Sequence, residues 1–444
     1  MADVTAIHAA DVLIIGAGPA GIAAACIAAE TGASVVVIDE NPRPGGQIWR
    51  HISRHTLPGQ AKYWLHRLDK SRARVHTGTS VVDITRGNAH FAIRTAGIVE
   101  TVLLAKTVIL ATGARELFLP FPGWTLPGIT GVGGGQALLK SGTPMAGKRV
   151  IIAGSGPLLL PVAAAFAAAG AHVSHILEQA PGHRVTRFAL GLWRSPMRGV
   201  HAVIYRSKTM GSRYRTGTWV TAAEGQDRVR AAIITDGRRT WTERCDMLCV
   251  GYGLIPQLEI AQIAECDTAF GRVVADAQMS TTVAGIFAAG ESSGVAGITS
   301  ALVEGEIAAR SALQHVRRSS LHEHATADAA ESVATAAPNA LSRRARREAA
   351  FAARMNEAFE LRAELRQVPQ PKTIVCRCED VVLGDIARCE SMREARLHTR
   401  AGMGPCQGRV CGPALELLFN WSALPARVPA VPAPVSTFLS NTSA

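Results

Sequence analysis

The segment Val12-Leu-Ile-Ile-Gly16-Ala-Gly18-Pro-Ala-Gly21 decides the fold class of this 444-residue chain. Its apolar run predicts a buried strand, and the Gly-x-Gly-x-x-Gly spacing predicts a tight turn into an Ala-rich helix. Gly16 permits the turn, Gly18 lets the backbone approach a pyrophosphate, and Gly21 lets the helix pack close to the strand. The segment therefore predicts a Rossmann-type dinucleotide site.

An acidic residue at the end of the next strand strengthens this interpretation. Asp39 stands where a carboxylate accepts hydrogen bonds from ribose hydroxyls, and Glu40 is the adjacent alternative. Pro19 and Ala20 open the helix, whose N-terminal N–H groups and partial positive charge favour a phosphate. We therefore predict that these four residues take part in binding a dinucleotide cofactor.

A second copy of the pattern, Val150-Ile-Ile-Ala-Gly154-Ser-Gly156-Pro-Leu-Leu159, predicts a second Rossmann-like domain. Leu159 replaces the third glycine, and Glu178 ends the following strand without a basic pair after it. These features argue against an NADPH site and disfavour NADH. A structural or vacant nucleotide site is the favoured interpretation.

Composition excludes several classes of protein. Hydrophobic residues make up 48% of the chain and charged residues 18%, which indicates a largely globular α/β protein. The net charge of +12 comes from scattered Arg without a nucleic-acid-binding module, so no nucleic-acid partner is expected. The apolar stretch from 157 to 173 contains Pro161 and Gly170 and follows a glycine turn, which predicts a buried helix rather than an integral membrane segment.

The first apolar strand starts too early for a signal peptide, and nine cysteines do not form a disulfide scaffold. We therefore expect a cytoplasmic protein, with attachment to the inner membrane through its complex left open. After the second glycine turn, a β-like run from Val203 to Ser207 predicts another strand.

The predicted domain boundaries follow from the two glycine turns, a polar stretch at 316–340 and Pro369-Gln-Pro371. The predicted domains are a first dinucleotide-binding domain (1–145 and 256–315), a degenerate nucleotide-binding domain (146–255), a linker and helix (316–370), a four-cysteine module (371–418) and a Pro-rich tail (419–444). The fold class is thus two Rossmann-like domains plus a small, helical C-terminal domain.

Four cysteines near the C-terminus form the second strong signal: Cys376, Cys378, Cys406 and Cys411. Residues i and i+2 of an extended segment point the same way, so the first two thiols can reach one metal centre. The neighbouring glycines let backbone N–H groups approach sulfur, which suits an iron–sulfur cluster. Zinc ribbons usually pair two Cys-x-x-Cys motifs, and neither half has that form; zinc remains the alternative.

Three further motifs resemble the thioredoxin- and glutathione-reductase superfamily of two-domain flavoproteins. They are Gly45-Gly46-Gln47, the stretch Thr107-Val-Ile-Leu-Ala-Thr112-Gly113-Ala114, and Gly285-Ile-Phe-Ala-Ala-Gly290-Glu291. The resemblance implies FAD, with Gly46, Gln47, Thr112, Gly113, Gly290 and Glu291 among its contacts and Val81 meeting adenine through its backbone. No cysteine pair stands where the disulfide reductases of this superfamily have theirs, so disulfide reduction is disfavoured as the reaction of this chain.

The stretch Phe121-Pro-Gly-Trp-Thr-Leu-Pro-Gly128, the sequence Cys-Arg-Cys-Glu and the run Thr399-Arg-Ala-Gly-Met-Gly-Pro-Cys-Gln-Gly-Arg409 narrow the resemblance. They are similar to the alpha subunits of heteromeric amine-oxidising flavoenzymes, which include opine oxidases, hydrogen cyanide synthase and D-hydroxyproline dehydrogenase. The resemblance implies a bacterioferritin-associated-ferredoxin-like [2Fe-2S] domain.

In that family a D-amino-acid-oxidase-type FAD subunit (beta) oxidises the amine, and the alpha subunit passes electrons on. Some members have FMN at a subunit interface or a small ferredoxin-like subunit, so both stay open here. Two other hypotheses are a stand-alone NADH-dependent flavin reductase and a non-catalytic nucleotide-binding scaffold. We find no residue set in the sequence that indicates an amine pocket, so no catalytic residue is predicted.

Overall fold

The computed structural model describes residues 9–51, 57–324 and 339–439. These residues form two compact units, which the chain enters alternately. The first unit draws on described residues within 1–115, 256–352 and 425–444, and the second on 116–255 and 353–424. The finer domain boundaries given above stay a prediction.

The strands, in chain order, are β1 (Ala10–Ile15), β2 (Val35–Asp39), β3 (Arg74–Thr77), β4 (Thr79–Arg86), β5 (Phe91–Gly97), β6 (Val102–Leu110), β7 (Ala114–Glu116), β8 (Ile129–Gly131), β9 (Arg149–Gly154), β10 (His172–Glu178), β11 (Arg213–Thr216), β12 (Trp219–Glu224), β13 (Ala231–Thr235), β14 (Thr240–Arg244), β15 (Met247–Gly251), β16 (Leu254–Pro256), β17 (Thr268–Ala269), β18 (Arg272–Val273), β19 (Ile286–Ala288), β20 (Ile374–Cys376) and β21 (Val381–Val382).

The helices are α1 (Pro19–Glu30), α2 (Gly59–Lys70), α3 (Val132–Lys140), α4 (Leu159–Ala168), α5 (Gly182–Gly191), α6 (Pro196–Lys208), α7 (Glu259–Ile263), α8 (Ile298–His324), α9 (Asn339–Ala358), α10 (Leu383–Ile386), α11 (Met392–Thr399), α12 (Cys411–Phe419) and α13 (Ser436–Leu439). Short 3-10 helices lie at Leu192–Arg194, Gly290–Ser292 and Ala363–Gln367.

The first unit is built on a seven-stranded sheet in the order β3-β2-β1-β6-β5-β4, with β19 also pairing with β6. Strands β1, β2, β3, β6 and β19 run parallel, whereas β4 and β5 pair antiparallel at one side. The Ala-rich helix α1 packs against α8 so closely that a Cβ on Gly305 would collide with the carbonyl oxygen of Ala20. Small residues therefore let two helices cover one face of the sheet.

The second unit contains a five-stranded parallel sheet in the order β11-β10-β9-β15-β8 and a three-stranded antiparallel sheet, β12-β13-β14. Helix α4 is largely buried, as the sequence predicted for its apolar stretch. Among the described residues, no helix combines the length and apolar character that crossing a bilayer requires.

The C-terminal cysteine segment belongs to the second unit and has its own apolar core. Val375, Ile386, Ala395 and Leu415 are buried together in that core. The Trp124 indole N–H donates to the carbonyl of Ile374 at 2.6 Å, which ties the segment to the loop before β8. This contact satisfies the polar atom of a buried aromatic side chain.

The prediction of an α/β fold with Rossmann-like domains and a helical C-terminal part is confirmed. The strand predicted from Val203 to Ser207 is wrong, because these residues lie in α6. Pro196 occupies the first turn of that helix, where its fixed φ favours helical backbone, and α6 packs against α4. Helix initiation and packing outweigh the β-propensity of the branched residues.

Candidate functional site

The first glycine turn is built by close backbone approach. Gly16 has φ +105°, and a Cβ there would collide with the carbonyl oxygen of Ala111 at the end of β6. A Cβ on Gly21 would collide with the carbonyl oxygen of Gly16, so helix α1 packs directly on the turn. By contrast, no atom lies within 4 Å of a Cβ placed on Gly18. The turn thus leaves open space where a pyrophosphate can approach the helix N-terminus.

Asp39 lies at the end of β2 and is buried. Its carboxylate accepts from the Ala17 N–H at 2.6 Å and from the Asn41 N–H at 2.7 Å. The acid is therefore held against the glycine turn, at the crevice between β1 and β2. Glu40, the predicted alternative, is exposed one residue further on.

The loop carrying the second predicted motif folds back onto this turn. The Gly45 N–H donates to the Ala17 carbonyl at 2.8 Å, and a Cβ on Gly46 would lie 2.9 Å from Cα of Gly18. Trp49 is almost fully buried beneath the loop, whereas Gln47 is exposed. Gly46 therefore lies beside the first glycine turn.

Thr112 and Gly113 lie just after β6 and are held by one residue, Gln257. The Gln257 side-chain amide donates to the Thr112 carbonyl at 2.9 Å, and the Gln257 backbone carbonyl accepts from the Thr112 hydroxyl at 2.9 Å. The Gln257 N–H also donates to the Gly113 carbonyl at 3.0 Å. This pairing fixes the loop at the carboxyl edge of the parallel sheet, where nucleotides bind in open α/β folds.

The third motif reaches the same region through Gly290. A Cβ on Gly290 would lie 2.8 Å from Cβ of Ala20 at the start of α1. The Gly290 N–H donates to Glu304 at 2.8 Å, and the hydroxyls of Ser293 and Ser300 donate to the same carboxylate. Glu304 thus anchors the loop that carries Glu291.

Burial and the nearby Glu304 carboxylate raise the pKa of Glu291 to about 7, although the Gly297 N–H opposes the shift. Burial likewise raises the pKa of Glu304, against three stabilising hydrogen bonds. Glu291 of the third motif therefore lies close to Glu304 of α8, and this arrangement disfavours ionisation of both.

Replacing Glu291 with glutamine is expected to reduce the pH dependence of stability in the flavin-free chain. A carboxyl whose pKa is raised in the folded state contributes stability below its unfolded pKa, and this contribution is lost as pH rises to about 7. The expected loss in the unmodified chain is of the order of 2–3 kcal/mol. Urea unfolding at pH 4.5 and pH 8 measures it; an identical loss in Glu291→Gln would contradict the assignment.

Val81 lies in β4 and is buried, paired in register with Thr95 of β5. It belongs to the antiparallel side of the sheet, and its contact with adenine stays a prediction. Gly16, Gly18, Pro19, Ala20, Gly21, Asp39, Gly46, Thr112, Gly113 and Gly290 are brought to the carboxyl edge of the parallel strands.

The second glycine turn has a different environment. A Cβ on Gly154 would collide with the carbonyl oxygen of Gly251, so this turn also needs glycine. The carboxylate of Glu178 is fully buried and accepts from the N–H groups of Gly156 and Ala180. Burial raises its pKa to about 7 despite these bonds. Leu159 is buried at the start of α4.

The four C-terminal cysteines meet as two pairs of thiols. The sulfurs of Cys378 and Cys406 are 3.6 Å apart, and the thiol of Cys411 lies against that of Cys376. The first pair is more exposed than the second. Across residues 9–51, 57–324 and 339–439, no group of three or more His, Cys, Asp or Glu side chains is gathered around one point as a single metal ion would require.

Backbone N–H groups surround these sulfurs. The Gly402 N–H donates to Cys376 at 3.4 Å. Burial raises the pKa of Cys406, but hydrogen bonds from the Val410 N–H, the Cys378 thiol and the N–H groups of Gly408 and Arg409 lower it below its usual value. Gly404 lets the backbone pass close to Cys378, because a Cβ on Gly404 would collide with Cβ of Cys378. Such N–H groups stabilise the negative charge of thiolates and of clusters bound to them.

Sequence reasoning missed two residues that hold the site together, Gln257 and Glu304. Glu304 left a weak signal, as an acid in the apolar run Ala301-Leu-Val-Glu-Gly of α8. Gln257 left no signal in the sequence, since its hydrogen-bond partners lie about 145 residues earlier in the chain. Both act as positioning residues for predicted contacts.

The fold and this site define an oxidoreductase of the class built on two dinucleotide-binding domains. The family model described as "Pyridine nucleotide-disulphide oxidoreductase" matches residues 10–305. The chain therefore belongs to the pyridine nucleotide-disulphide oxidoreductase family. This match supports a flavin cofactor, and the open space at Gly18 together with the buried Asp39 fits FAD.

Two relatives match nearly the whole chain. The A subunit of opine oxidase from Agrobacterium tumefaciens is 31% identical in an alignment 445 positions long that covers 90% of this chain and 84% of the relative. Hydrogen cyanide synthase subunit HcnB of Pseudomonas aeruginosa is 31% identical in an alignment 437 positions long that covers 90% of each chain. The resemblance to this group of subunits is confirmed.

Among solved structures, L-proline dehydrogenase from P. horikoshii superposes with a TM-score of 0.67. The alignment covers 98% of this chain and 80% of that one at 18% identity. At this identity the likeness concerns the fold alone, and it extends through the C-terminal segment.

Proposed function

We propose that this chain is the electron-transferring flavoprotein subunit of a heteromeric dehydrogenase or oxidase that acts on a secondary amine, an opine or an amino acid. The observation that carries the proposal is the identity of 31% over 90% of the chain to the A subunit of opine oxidase. A partner FAD subunit of the D-amino-acid-oxidase type would hold the amine, and a ferredoxin-like subunit or FMN at the interface is compatible with this arrangement.

The residues of the first unit would hold FAD in stated roles. Gly18 and the N-terminus of α1 face the pyrophosphate, Asp39 accepts from the ribose, and Gly290 with Glu291 approaches the ribityl chain. Thr112 and Gly113 shape the sheet edge, and Glu40, Gln47 and Val81 complete the predicted contacts. Glu304 and Gln257 hold two of these loops in place. We assign no catalytic residue to this chain.

Cys376, Cys378, Cys406 and Cys411 would ligate a [2Fe-2S] cluster. Two thiol pairs suit a binuclear cluster, since each iron takes two protein thiolates. The N–H groups at Gly402 and around Cys406 would neutralise part of its charge. FAD accepts electron pairs and a [2Fe-2S] cluster accepts single electrons, so the two groups together supply the chemistry of splitting a two-electron oxidation. Zinc is the competing occupant.

The test is an amine-dependent dye-reduction assay on the chain co-purified with its partner subunit. Opines, D-hydroxyproline, glycine and sarcosine are screened as substrates with an artificial electron acceptor. We expect one of them to reduce the dye only when both chains are present. Equal amine-dependent reduction by this chain alone, or by the partner alone with no loss of rate, would contradict the proposal.

A further inference from the structure

A peptide segment of this chain lies on the second glycine turn. The segment is Phe359–Arg362, which follows helix α9 and is called here the docking segment. The Ser155 hydroxyl, in the glycine turn after β9, donates to the Phe359 carbonyl at 2.9 Å. In the first unit the corresponding turn faces the space that we assign to FAD.

Gln179 makes most of the contacts with the docking segment. It directly follows Glu178, the predicted ribose acid, and is fully buried. Its amide donates to the Glu360 carbonyl at 3.1 Å and to the Ser155 hydroxyl at 2.9 Å, and its carbonyl accepts from the Arg362 N–H at 3.2 Å. Without the segment this buried amide would lose most of its hydrogen-bond partners, which native structures rarely tolerate.

Side chains hold both ends of the segment. The Phe359 ring packs edge-on against Phe188 of α5, with centroids 5.1 Å apart. The Arg362 guanidinium lies 3.9 Å from the centroid of Trp219 and donates to the Gly217 carbonyl. A cation this close to an indole face is held more firmly than an exposed ion pair.

The position of these contacts indicates which part of a bound dinucleotide would overlap the docking segment. In a Rossmann unit the adenosine part of a dinucleotide lies beside the first glycine turn and the acid that ends the second strand. The docking segment covers this place through Ser155 and Gln179. No atom of the segment lies within 4 Å of a Cβ placed on Gly156, where a pyrophosphate would approach and where the N–H already donates to Glu178. The segment therefore overlaps the adenosine part, not the phosphates.

We propose that the second dinucleotide crevice is an intramolecular peptide-binding site, whose ligand is the docking segment and which NADH can enter only when the segment leaves. The adjacent ion pair between Arg184 and Glu360, at 3.0 Å, is exposed and contributes little. The inference is independent of the amine-oxidising role. It explains how a chain with two Rossmann units keeps pyridine nucleotides from its second unit.

The test compares NADH binding and hydrogen exchange in FAD-loaded full-length variants. Phe359→Ala/Arg362→Ala removes both side-chain anchors but leaves the glycine turn, Glu178 and Gln179 intact. Gln179→Glu is a second, nearly isosteric variant that places a carboxylate against the backbone carbonyl groups of Phe359 and Glu360. Glu357→Ala, an exposed change just before the segment, is the matched control.

We expect slow amide exchange of the docking segment in the unmodified chain and in the control, and faster exchange in both other variants. Calorimetric titration with NADH should show an apparent affinity about 10- to 100-fold higher in Phe359→Ala/Arg362→Ala, because the open state becomes the populated one. NADH binding to the unmodified chain as tight as to the double variant would overturn the proposal. So would fast exchange of the segment in the unmodified chain. Neither readout requires the amine-oxidising partner, so failure here is distinct from failure of the dye assay.

Discussion

Replacing Gly18 with valine is expected to abolish FAD binding while leaving the first unit folded. Gly18 has φ −74° and ψ −176°, a conformation that valine adopts without strain, and no atom lies within 4 Å of its Cβ position. The side chain would instead fill the space where the pyrophosphate must approach. We expect at least a 100-fold loss of FAD affinity, about 3 kcal/mol, and a change of less than about 1 kcal/mol in unfolding free energy.

Two further variants make this result specific. Gly59→Val places the same side chain at an exposed glycine at the start of α2, with open space around it, and should bind FAD normally. Gly21→Ala should lose both FAD and stability, because its methyl group collides with the Gly16 carbonyl. Flavin fluorescence gives the affinity and urea unfolding the stability. Normal FAD binding by Gly18→Val would refute the assigned pyrophosphate position.

Replacing Cys376 with serine is expected to remove nearly all iron from the purified chain. This thiol is buried against Cys411 and receives the Gly402 N–H, so its loss would leave three of the four proposed ligands. Serine is a poor ligand for iron–sulfur clusters, which are held by cysteine thiolates. We expect the iron content to fall at least about tenfold and the FAD content to stay the same, because the FAD residues belong to the first unit.

Cys389→Ser is the matched control for this change. Cys389 follows α10 in the same small core but lies outside the two thiol pairs. Its variant should retain iron and the visible absorbance of the cluster. Equal iron loss in both variants would indicate unfolding of the segment, whereas full iron retention in Cys376→Ser would remove this residue from the ligand set.

The sequence predicts the parts of the site that depend on local geometry. A Gly-x-Gly-x-x-Gly turn admits few backbone paths, and the acid that ends the next strand follows at a constrained distance. Asp39 and Gly16 could therefore be placed from the sequence alone. Gly290 could be placed through the resemblance, because its motif marks the return of the chain to the same sheet.

Features that depend on tertiary packing escaped prediction. Glu304 accepts from the Gly290 N–H in the folded chain, where Gly305 lets α8 pack closely on α1, and its place in an apolar run is only a weak sequence signal for that contact. The run at Val203 looked like a strand because branched residues favour extended backbone, yet Pro196 and the contact with α4 make it helical. The docking segment was equally hidden, since Gln179 and Arg362 lie 183 residues apart.

The most direct test of the central claim is the cofactor content of the full-length chain, purified anaerobically with its partner subunit. We predict about one FAD in this chain, about two irons for its four cysteines, and the visible spectrum of a [2Fe-2S] cluster. Because the proposed partner would carry its own flavin, the FAD and iron counts are repeated on this chain alone and on Gly18→Val. A chain that is colourless, free of iron and loaded with zinc would contradict the account.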